Sequence, residues 1–386
     1  MRIVDAGTVV VGNPWKNWIF VRVATDEGLI GWGEATGGLQ TMPIVAAVEE
    51  MKPLFLGLDP RDVGNVWQQL HRGLFLQVNA GVAGIELACW DLLGKSLGVP
   101  VWRLLGGRVR SRIRAYANGW YRGPREPDAF AERARAVVAL GYTALKFDPF
   151  GTAYRYLDRA EEERSLAIVA AVRDAVGDDV DLIVEAHDRL AVATALRIGR
   201  ALERAHPLWL ETPVMSTDIE ATLEVARQLP VPVAAGERFH HLEEFARLAA
   251  GKVVSIVQPE VLNLGGLGPT VKAAAIAEAH EAFVAPHSAQ SPLCTAVNAQ
   301  LGAALPNVLI QETFDDFQEP WTWDVLTGVP RVHDGYLEVS DRPGFGVDID
   351  EASAACHPYG DTNFLRLFEP GWEWRGQASR PGGDRA

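Results

Sequence analysis

Features that would place this chain of 386 residues in several large classes of protein are scarce or absent. It has three cysteines, an odd number at wide spacing, which fits neither a disulfide framework nor a zinc site and predicts reduced thiols (Cys89, Cys294, Cys356). No apolar run approaches the ~18 residues of a membrane span. The first residues, MRIVDAGTVVVGNPW, lack the basic and apolar regions of a secretion signal. We therefore expect a cytoplasmic protein without a membrane partner.

Positive charge is also scarce, because 36 Lys and Arg face 50 Asp and Glu, for a net charge of −14. This balance argues against a nucleic-acid partner, although a local field in a cleft still allows an anionic substrate. No G-x-G-x-x-G motif follows the first strand, which disfavours a dinucleotide site. The glycine-rich stretch LGGLGPT at 264–270 lacks the Lys-Ser/Thr of a phosphate loop and is interpreted as an ordinary loop.

The first 112 residues have the pattern of an α+β unit. TVVVG and IFVRVATDEGLIGWGEA alternate like antiparallel strands, with a turn at residues 26–28. Helical spacing follows in IVAAVEEMKPLF, DVGNVWQQLHRGLF and VAGIELACWDLLGKSL. The last segment meets Gly98 and then Pro100, which predicts that the helix ends there.

From residue 113 the pattern changes to eight short apolar runs that alternate with amphipathic helices. The runs are IRAYANG, ALKFDPF, DLIVEAHD, PLWLETP, PVAAGER, SIVQPEV, FVAPHS and VLIQETF. Strands alternating with helices at this rate predict a (β/α)8-type barrel, with an open doubly wound sheet as the rival. No final barrel helix follows the eighth run. Residues 321–386 are expected to return to the N-terminal α+β region.

Three successive strands of the expected barrel each carry one glutamate near the carboxyl end. Glu185, Glu211 and Glu237 are spaced by 26 residues in both steps, which is one strand–helix unit. Neighbouring parallel strands lie ~4.8 Å apart, so these acids should converge. Converging carboxylates repel one another unless a cation lies among them, and three oxygen donors suit Mg²⁺ better than zinc. The sequence therefore predicts a magnesium site.

Other polar residues at strand ends complete a candidate catalytic set. In LIVEAHDRL, strand alternation places His187 and Arg189 on the face of Glu185, so His187 should border the metal. His287 ends strand seven, and Glu260 on strand six can hydrogen-bond its imidazole and raise its basicity. Lys146 is the one cation on strand two, a position that packing does not explain.

Longer motifs make the chain resemble a known family. GIELACWDLLGKSLGVPVWRLLGG, LWLETPV, VAAGERF, QPEVLNLGGL, APHS and GYLEVSDRPGFGVDID resemble segments of the enolase superfamily, in its mandelate racemase and muconate lactonizing enzyme-like group with the acid-sugar dehydratases. The resemblance implies an α/β fold, a modified TIM barrel (β/α)7β at 113–320 with an N-terminal α+β capping domain at 1–112. Residues 321–386 would return to the capping domain.

The resemblance also implies the chemistry. One Mg²⁺ per subunit would be held by the three glutamates, and the proton α to a substrate carboxylate would be removed to give an enediolate. In related dehydratases the position of His287, paired with that of Glu260, is the general base, and the position of His187 protonates the departing 3-hydroxyl. Glu312 matches an acid that hydrogen-bonds the enediolate. Lys146 would neutralise charge as it develops. The expected reaction converts an aldonic or aldaric acid to a 2-keto-3-deoxy acid.

Several residues depart from the family pattern. Glu185 and Glu260 stand where aspartate is common, and Thr212 follows Glu211 where a second glutamate is common. Strand two has Lys146 and Asp148 in place of Lys-x-Lys, which disfavours two-base racemisation and cycloisomerisation. Asp148 is expected to contact a substrate hydroxyl instead. Racemase, epimerase and cycloisomerase activities stay as alternatives, together with a metal-free glycosidase using Glu211 and Glu312 and a non-catalytic sugar-acid binder.

Specificity is expected to depend on loops of the capping domain at 13–18, 35–41 and 74–81. Trp15 and Lys16 in the first loop are candidate substrate-binding residues, and Lys16 would meet a second carboxylate of the substrate. Ordinary packing explains Trp15 equally well. The partners expected for the family are a small carboxylate substrate and further copies of the same chain in a symmetric homo-oligomer.

Overall fold

A computed structural model describes residues 1–74, 78–364 and 366–374. The N-terminal part contains one antiparallel sheet, in the order β1 (Ile3–Val11), β2 (Trp18–Thr25) and β3 (Ile30–Glu34). Four helices follow: α1 (Thr41–Phe55), α2 (Val63–Gly73), α3 (Asn79–Leu97) and α4 (Val101–Leu104). The three predicted amphipathic helices are thus confirmed, and α3 ends at Gly98, whose φ of 66° is the left-handed conformation that glycine adopts readily.

The sheet packs against α3 at unusually close range. A Cβ atom added to Gly33 would lie 2.0 Å from the carbonyl oxygen of Gly84, and one added to Gly31 would lie 2.2 Å from that of Ala88. Only glycine allows this approach of strand and helix backbones. The contact fixes the carboxyl end of β3, and hence Glu34, against the rest of the molecule.

The second part is a closed barrel of eight parallel strands with seven intervening helices. In chain order these are β4 (Arg112–Ala117), α5 (Pro127–Ala139), β5 (Ala144–Phe147), α6 (Arg159–Val176), β6 (Asp181–Glu185), α7 (Val192–Leu202), β7 (Trp209–Glu211), α8 (Ile219–Gln228), β8 (Val233–Ala235), α9 (Leu242–Ala250), β9 (Ile256–Val257), α10 (Leu267–Ala279), β10 (Phe283–Val284), α11 (Pro292–Ala304) and β11 (Gln311–Thr313). Strands β4 to β10 pair in sequence, β11 pairs with β4, and a bridge between Val284 and Val308 completes the ring. The rival open sheet is therefore wrong.

Side chains that point into the barrel form an apolar layer below a polar one. Ile183, Trp209 and Ile256 belong to a buried interior cluster, whereas their neighbours along the strands pack on the outer helices. Two residues further along a strand, the inward position is polar, as at Glu185 and Glu211. The polar layer therefore lies at the carboxyl ends of the strands, where barrels of this type place their chemistry.

No full-length helix follows β11 among the described residues. The chain forms α12 (Thr322–Val325), β12 (Leu326–Thr327), β13 (Val332–His333), β14 (Tyr336–Glu338), β15 (Asp348–Ile349) and α13 (Glu351–Ala355). Strand β14 pairs with β4, and the amide of Gly12, directly after β1, donates to the carbonyl of His357 at 2.7 Å. The fold class predicted from sequence, a (β/α)7β barrel with an N-terminal capping domain, is confirmed. None of the helices in the described ranges has the length and apolarity needed to cross a bilayer.

Candidate active site

Three buried glutamates meet at the polar end of the barrel. Glu185 and Glu211 are the last residues of neighbouring strands β6 and β7 and are direct register partners. Glu237 comes two residues after β8, beyond Gly236, whose φ of 127° bends the chain. One carboxylate oxygen of each lies within 4.8 Å of those of the other two. The three glutamates, equally spaced along the sequence, therefore bring their carboxylates together in the structure, as the alternation of strands and helices predicted.

Lys146 lies among these acids. Its ammonium Nζ is 2.8 Å from Oε1 of Glu312 and 3.3 Å from Oε2 of Glu185, and it also contacts Glu211. Burial disfavours the charged ammonium, but the attraction of Glu211 and Glu312 outweighs it and holds the pKa of Lys146 well above its ordinary value. The lysine therefore carries its charge at the centre of the polar layer.

The surroundings of Glu185 disfavour its charged form. Burial first, and then repulsion by Glu211, raise the pKa of its carboxyl group well above the ordinary value. Its Oε1 accepts a hydrogen bond from the amide of His187 at 2.7 Å. Donors of this kind, three carboxylates without an imidazole or thiolate, are those that a hard divalent cation prefers.

The pKa of Glu312 is shifted in the opposite direction to that of Glu185. Burial favours its neutral form, but Lys146 and His287 outweigh this effect and lower the pKa of Glu312 to about 2. Its oxygens accept from the side chain of Asn118 and from the amide of Ser288, both at 2.8 Å. Glu312 is thus a fixed anion on β11, facing the glutamate cluster from across the barrel.

His287 and Glu260 form a hydrogen-bonded pair. Nδ1 of His287 is 2.6 Å from Oε2 of Glu260, so the other ring nitrogen, Nε2, faces the centre of the site. There Nε2 lies 3.4 Å from Oε2 of Glu237 and 3.9 Å from Oε2 of Glu312. Burial opposes a charged ring, yet Glu312 and Glu237 outweigh it and raise the pKa of His287 to about 9. Glu260 therefore orients the imidazole, and Nε2 points toward Glu237 and Glu312.

His187 reaches the site by a route that strand alternation does not describe. The prediction of an extended strand through residues 185–189 is wrong, because β6 ends at Glu185 and His187 and Asp188 have φ values of 47° and 62°. This left-handed turn places Nδ1 of His187 2.6 Å from Oδ2 of Asp148. The Trp372 ring stands nearly perpendicular to the imidazole, with ring centroids 6.1 Å apart.

Asp148 was expected to contact a substrate hydroxyl, but its carboxylate contacts other protein groups. The side chain is fully buried, and its carboxylate accepts from His187, from the guanidinium of Arg189 and from the amide of Phe150. Asp148 is therefore committed to protein partners. Strand alternation predicted that Arg189 shares a face with Glu185. Its guanidinium instead contacts the carboxylate of Asp148.

The first loop of the capping domain closes over this end of the barrel. Trp15 packs on Phe314, with ring centroids 4.4 Å apart, and both belong to a small buried cluster with Ala289. Lys16 donates from Nζ to the side-chain carbonyl of Gln290 at 3.1 Å. The loop at 35–41 follows Glu34 directly, whereas the third expected loop, 74–81, lies partly outside the described residues.

Three residues that the sequence analysis missed lie at the site. Asn118 directly follows the first barrel strand, so the rule that found the glutamates would also have found it. Gln290 lies in the turn before α11, and only the folded chain shows that it contacts the pair formed by Glu260 and His287. Trp372 comes from the C-terminal segment and donates from Nε1 to the carbonyl of Gly151 at 3.0 Å, a contact without a sequence signal.

Known protein families match the N-terminal part and the barrel part of the chain separately. Residues 10–106 match the family described as mandelate racemase / muconate lactonizing enzyme, N-terminal domain, and residues 129–353 match enolase C-terminal domain-like. The chain is 36% identical to a D-gluconate dehydratase of Thermoproteus tenax, over 94% of this chain and 74% of that one. It is 35% identical to a D-galactonate dehydratase of Verminephrobacter eiseniae, over 87% of this chain and 89% of that one.

Solved structures agree with this assignment. A mandelate racemase/muconate lactonizing enzyme-like protein from Roseovarius sp. TM1035 superposes with a TM-score of 0.87 at 34% identity, over 94% of this chain and 96% of the other. The family predicted from sequence motifs is confirmed. The chain belongs to the enolase superfamily, in the family of mandelate racemase and muconate lactonizing enzyme.

Proposed function

We propose that this protein is a Mg²⁺-dependent hydro-lyase that dehydrates an aldonic or aldaric acid to a 2-keto-3-deoxy acid. The observation that carries the proposal is the arrangement of two carboxylate-paired histidines, His287 with Glu260 and His187 with Asp148, beside the three glutamates. An elimination needs one group to remove a proton and a second group to protonate the leaving oxygen. Relatives named D-gluconate and D-galactonate dehydratases, at 33–36% identity, support the same reaction.

The glutamate cluster fits a magnesium ion. Glu185, Glu211 and Glu237 supply hard oxygen donors, all buried and converging, and burial, followed by repulsion from the other two carboxylates, raises the pKa of Glu185. We propose that these three residues hold one Mg²⁺ per subunit. When bound, the ion supplies Lewis-acid stabilisation of the negative charge that develops on the substrate carboxylate.

His287 is the proposed general base. Its Nε2 faces the centre of the site, so it accepts the proton from the carbon α to the substrate carboxylate, while Glu260 stabilises the imidazolium that forms. Against the effect of burial, the pKa of His287 is raised by Glu312, by the proposed metal ligand Glu237 and by Glu260, so positive charge at the ligand cluster would lower that pKa again. Lys146 supplies a fixed positive charge beside the developing anion.

His187 is the proposed general acid. Once the α-proton has been taken, the electron pair forms the carbon–carbon double bond, and the hydroxyl on the β-carbon leaves as water with a proton from His187. The resulting enol then becomes the 2-keto acid. Asp148 keeps the Nδ1 side of His187 occupied, so the other ring nitrogen is presented to the leaving group. In this proposal Asp148 acts through His187 rather than on the substrate.

Substrate binding is proposed to involve Trp15 and Lys16. Trp15 is only 7% exposed and forms an apolar wall with Phe314. The ammonium of Lys16 contacts the neutral amide of Gln290, and in the described part of the chain it makes no ion pair with a carboxylate. Such a cation suits an oxygen-rich end of the substrate, such as a distal carboxylate or hydroxyl.

A panel of stereochemically defined aldonic and aldaric acids tests the proposal. The 2-keto product is trapped with semicarbazide and read by absorbance, with Mg²⁺ and with EDTA. Turnover of at least one acid sugar that EDTA abolishes is the expected result. Turnover that survives EDTA favours a metal-free glycosidase, and deuterium entry at the α-carbon from D2O without keto product favours a racemase or epimerase. Ligand binding without exchange favours a binding protein. A cytoplasmic location and a symmetric homo-oligomer stay predictions.

A further inference from the structure

A continuous chain of side chains connects the first loop of the capping domain to the proposed base. Nζ of Lys16 donates to Oε1 of Gln290 at 3.1 Å, and Nε2 of Gln290 donates to Oε2 of Glu260 at 3.2 Å. The same oxygen of Glu260 is 2.6 Å from Nδ1 of His287. Three contacts therefore join a residue of the capping domain to the imidazole in the barrel.

The chemistry of these groups favours one orientation of the amide. An ammonium has protons and no lone pair, so it must meet the carbonyl oxygen of Gln290. Oε2 of Glu260 accepts in this contact, so it meets the NH2 group of Gln290. If Lys16 withdraws, the carbonyl of Gln290 loses its partner and nothing in this chain of contacts prevents the amide from turning away from Glu260.

The backbone beside Gln290 is fixed by the capping domain at a second point. Glu34, which ends β3 and is fully buried, accepts from the amide of Ser291 at 3.0 Å and from its hydroxyl at 2.5 Å. Ser291 is the N-cap of α11. Two residues of the capping domain thus hold the turn that carries His287 and Gln290. Glu34 binds Ser291, next to Gln290 in the chain, and Lys16 binds the side chain of Gln290.

We propose that Gln290 is a positioning residue that couples the place of the first capping loop to the orientation of the general base. The NH2 group of Gln290 holds Oε2 of Glu260 toward His287 only while Lys16 donates to the carbonyl oxygen of the same amide. The base is therefore correctly aimed when the loop covers the site. This inference rests on the proposed function for the role of His287, but the contacts themselves exist whatever the reaction is.

The coupling predicts how activity divides between binding and turnover. In Gln290→Met, a side chain of similar length without polar atoms, kcat should fall about 10- to 100-fold, because a base displaced by even ~1 Å loses most of its efficiency. KM should change much less, since Gln290 is not a proposed substrate contact. Lys16→Met should lower kcat to a similar extent and also raise KM. The double variant should lose no more kcat than the worse single variant, because both act through one chain of contacts.

A spectroscopic signature tests the inference separately from the reaction. In full-length protein labelled with ¹⁵N-histidine, the Nδ1 proton of His287 should give a downfield signal because its hydrogen bond to Glu260 is short, and His287→Asn identifies that signal. Gln290→Met and Lys16→Met should each shift it upfield or broaden it by faster exchange. Gln228 is exposed at the end of α8, so Gln228→Met is the matched control and should leave both the signal and kcat unchanged.

The outcomes separate two failures. If Gln290→Met leaves the His287 signal and kcat at their original values, the coupling is refuted although the enzyme is a dehydratase. If the wild-type protein turns over no acid sugar, the proposed function fails, and the response of the His287 signal still decides whether Gln290 positions the imidazole. Additive losses of kcat in the double variant would show that Lys16 and Gln290 act independently.

Discussion

Replacing Glu185 by glutamine should stabilise the metal-free protein. Its carboxylate lies within 4.8 Å of those of Glu211 and Glu237, and at an effective dielectric constant of ~20 each such pair of charges costs about 3.5 kcal/mol. The ammonium of Lys146, 3.3 Å away, returns about 5 kcal/mol on the same scale. A net cost of about 2 kcal/mol remains, and an amide of the same shape removes it. The side-chain oxygen of glutamine can still accept from the amide of His187.

The order of stability should invert when magnesium is added. A ligand at 100 times its dissociation constant stabilises a folded protein by about 2.7 kcal/mol. The wild-type protein should gain this amount, whereas Glu185→Gln lacks one anionic ligand and should gain little. Urea unfolding followed by circular dichroism, in EDTA and through a Mg²⁺ titration, measures both effects. The midpoint of the variant should be the higher one in EDTA and the lower one in saturating Mg²⁺.

An exposed glutamate provides the control for this experiment. Glu163 on α6 is 65% exposed and its one ion pair among the described residues is with Arg159, so Glu163→Gln should change stability by less than about 0.5 kcal/mol in either condition. The reasoning would be refuted by a Glu185→Gln protein that is less stable than wild type in EDTA and still gains the full stabilisation from Mg²⁺. That result would mean that the three glutamates share no cation.

Three further predictions concern the two histidines and one buried acid. His287→Asn should lower kcat by about 10³-fold or more and abolish exchange of the α-proton in D2O, read by NMR of the recovered substrate. Asp148→Asn should lower formation of the keto product while exchange persists, because His187 loses its carboxylate partner and His287 keeps its own. Glu86, which caps the start of α10 by accepting from two backbone amides at 2.8 and 2.9 Å, has its pKa raised to about 7 by burial despite these bonds. Its folded state holds the proton more tightly than the unfolded state, with its ordinary pKa of 4.5, so stability should fall as pH rises from about 4.5 to about 7. Glu86→Gln should remove that part of the pH dependence of the urea midpoint, and an unchanged slope in the variant would contradict the assignment.

Strand periodicity was enough to predict the centre of the site. Inward positions recur every second residue along a strand, and parallel strands end at the same edge of a barrel. Glu185, Glu211 and Glu312 obey this rule, as does Lys146, so their convergence follows from their positions alone. The pairing of His287 with Glu260 was predicted in the same way, since the two residues follow adjacent strands and a bridge joins them.

The rule failed where the chain leaves the strand. His187 lies in a left-handed turn, so its direction depends on backbone angles that no alternation pattern encodes. The same turn brings it to Asp148, which was expected to contact the substrate. Gln290 gave no signal because its two partners, Lys16 and Glu260, are 274 and 30 residues away in the chain.

The amino-acid sequence by itself determined the class of fold, the family and the set of groups around the proposed metal site, because these depend on local periodicity and on the order of strands. Only the tertiary structure decided how the two histidines are aimed and how the capping domain reaches the base. Those features arise from contacts between distant segments, such as Trp372 with His187 and Glu34 with Ser291. Ring contacts and hydrogen bonds of this kind depend on three-dimensional position, and the spacing of residues along the chain does not predict them.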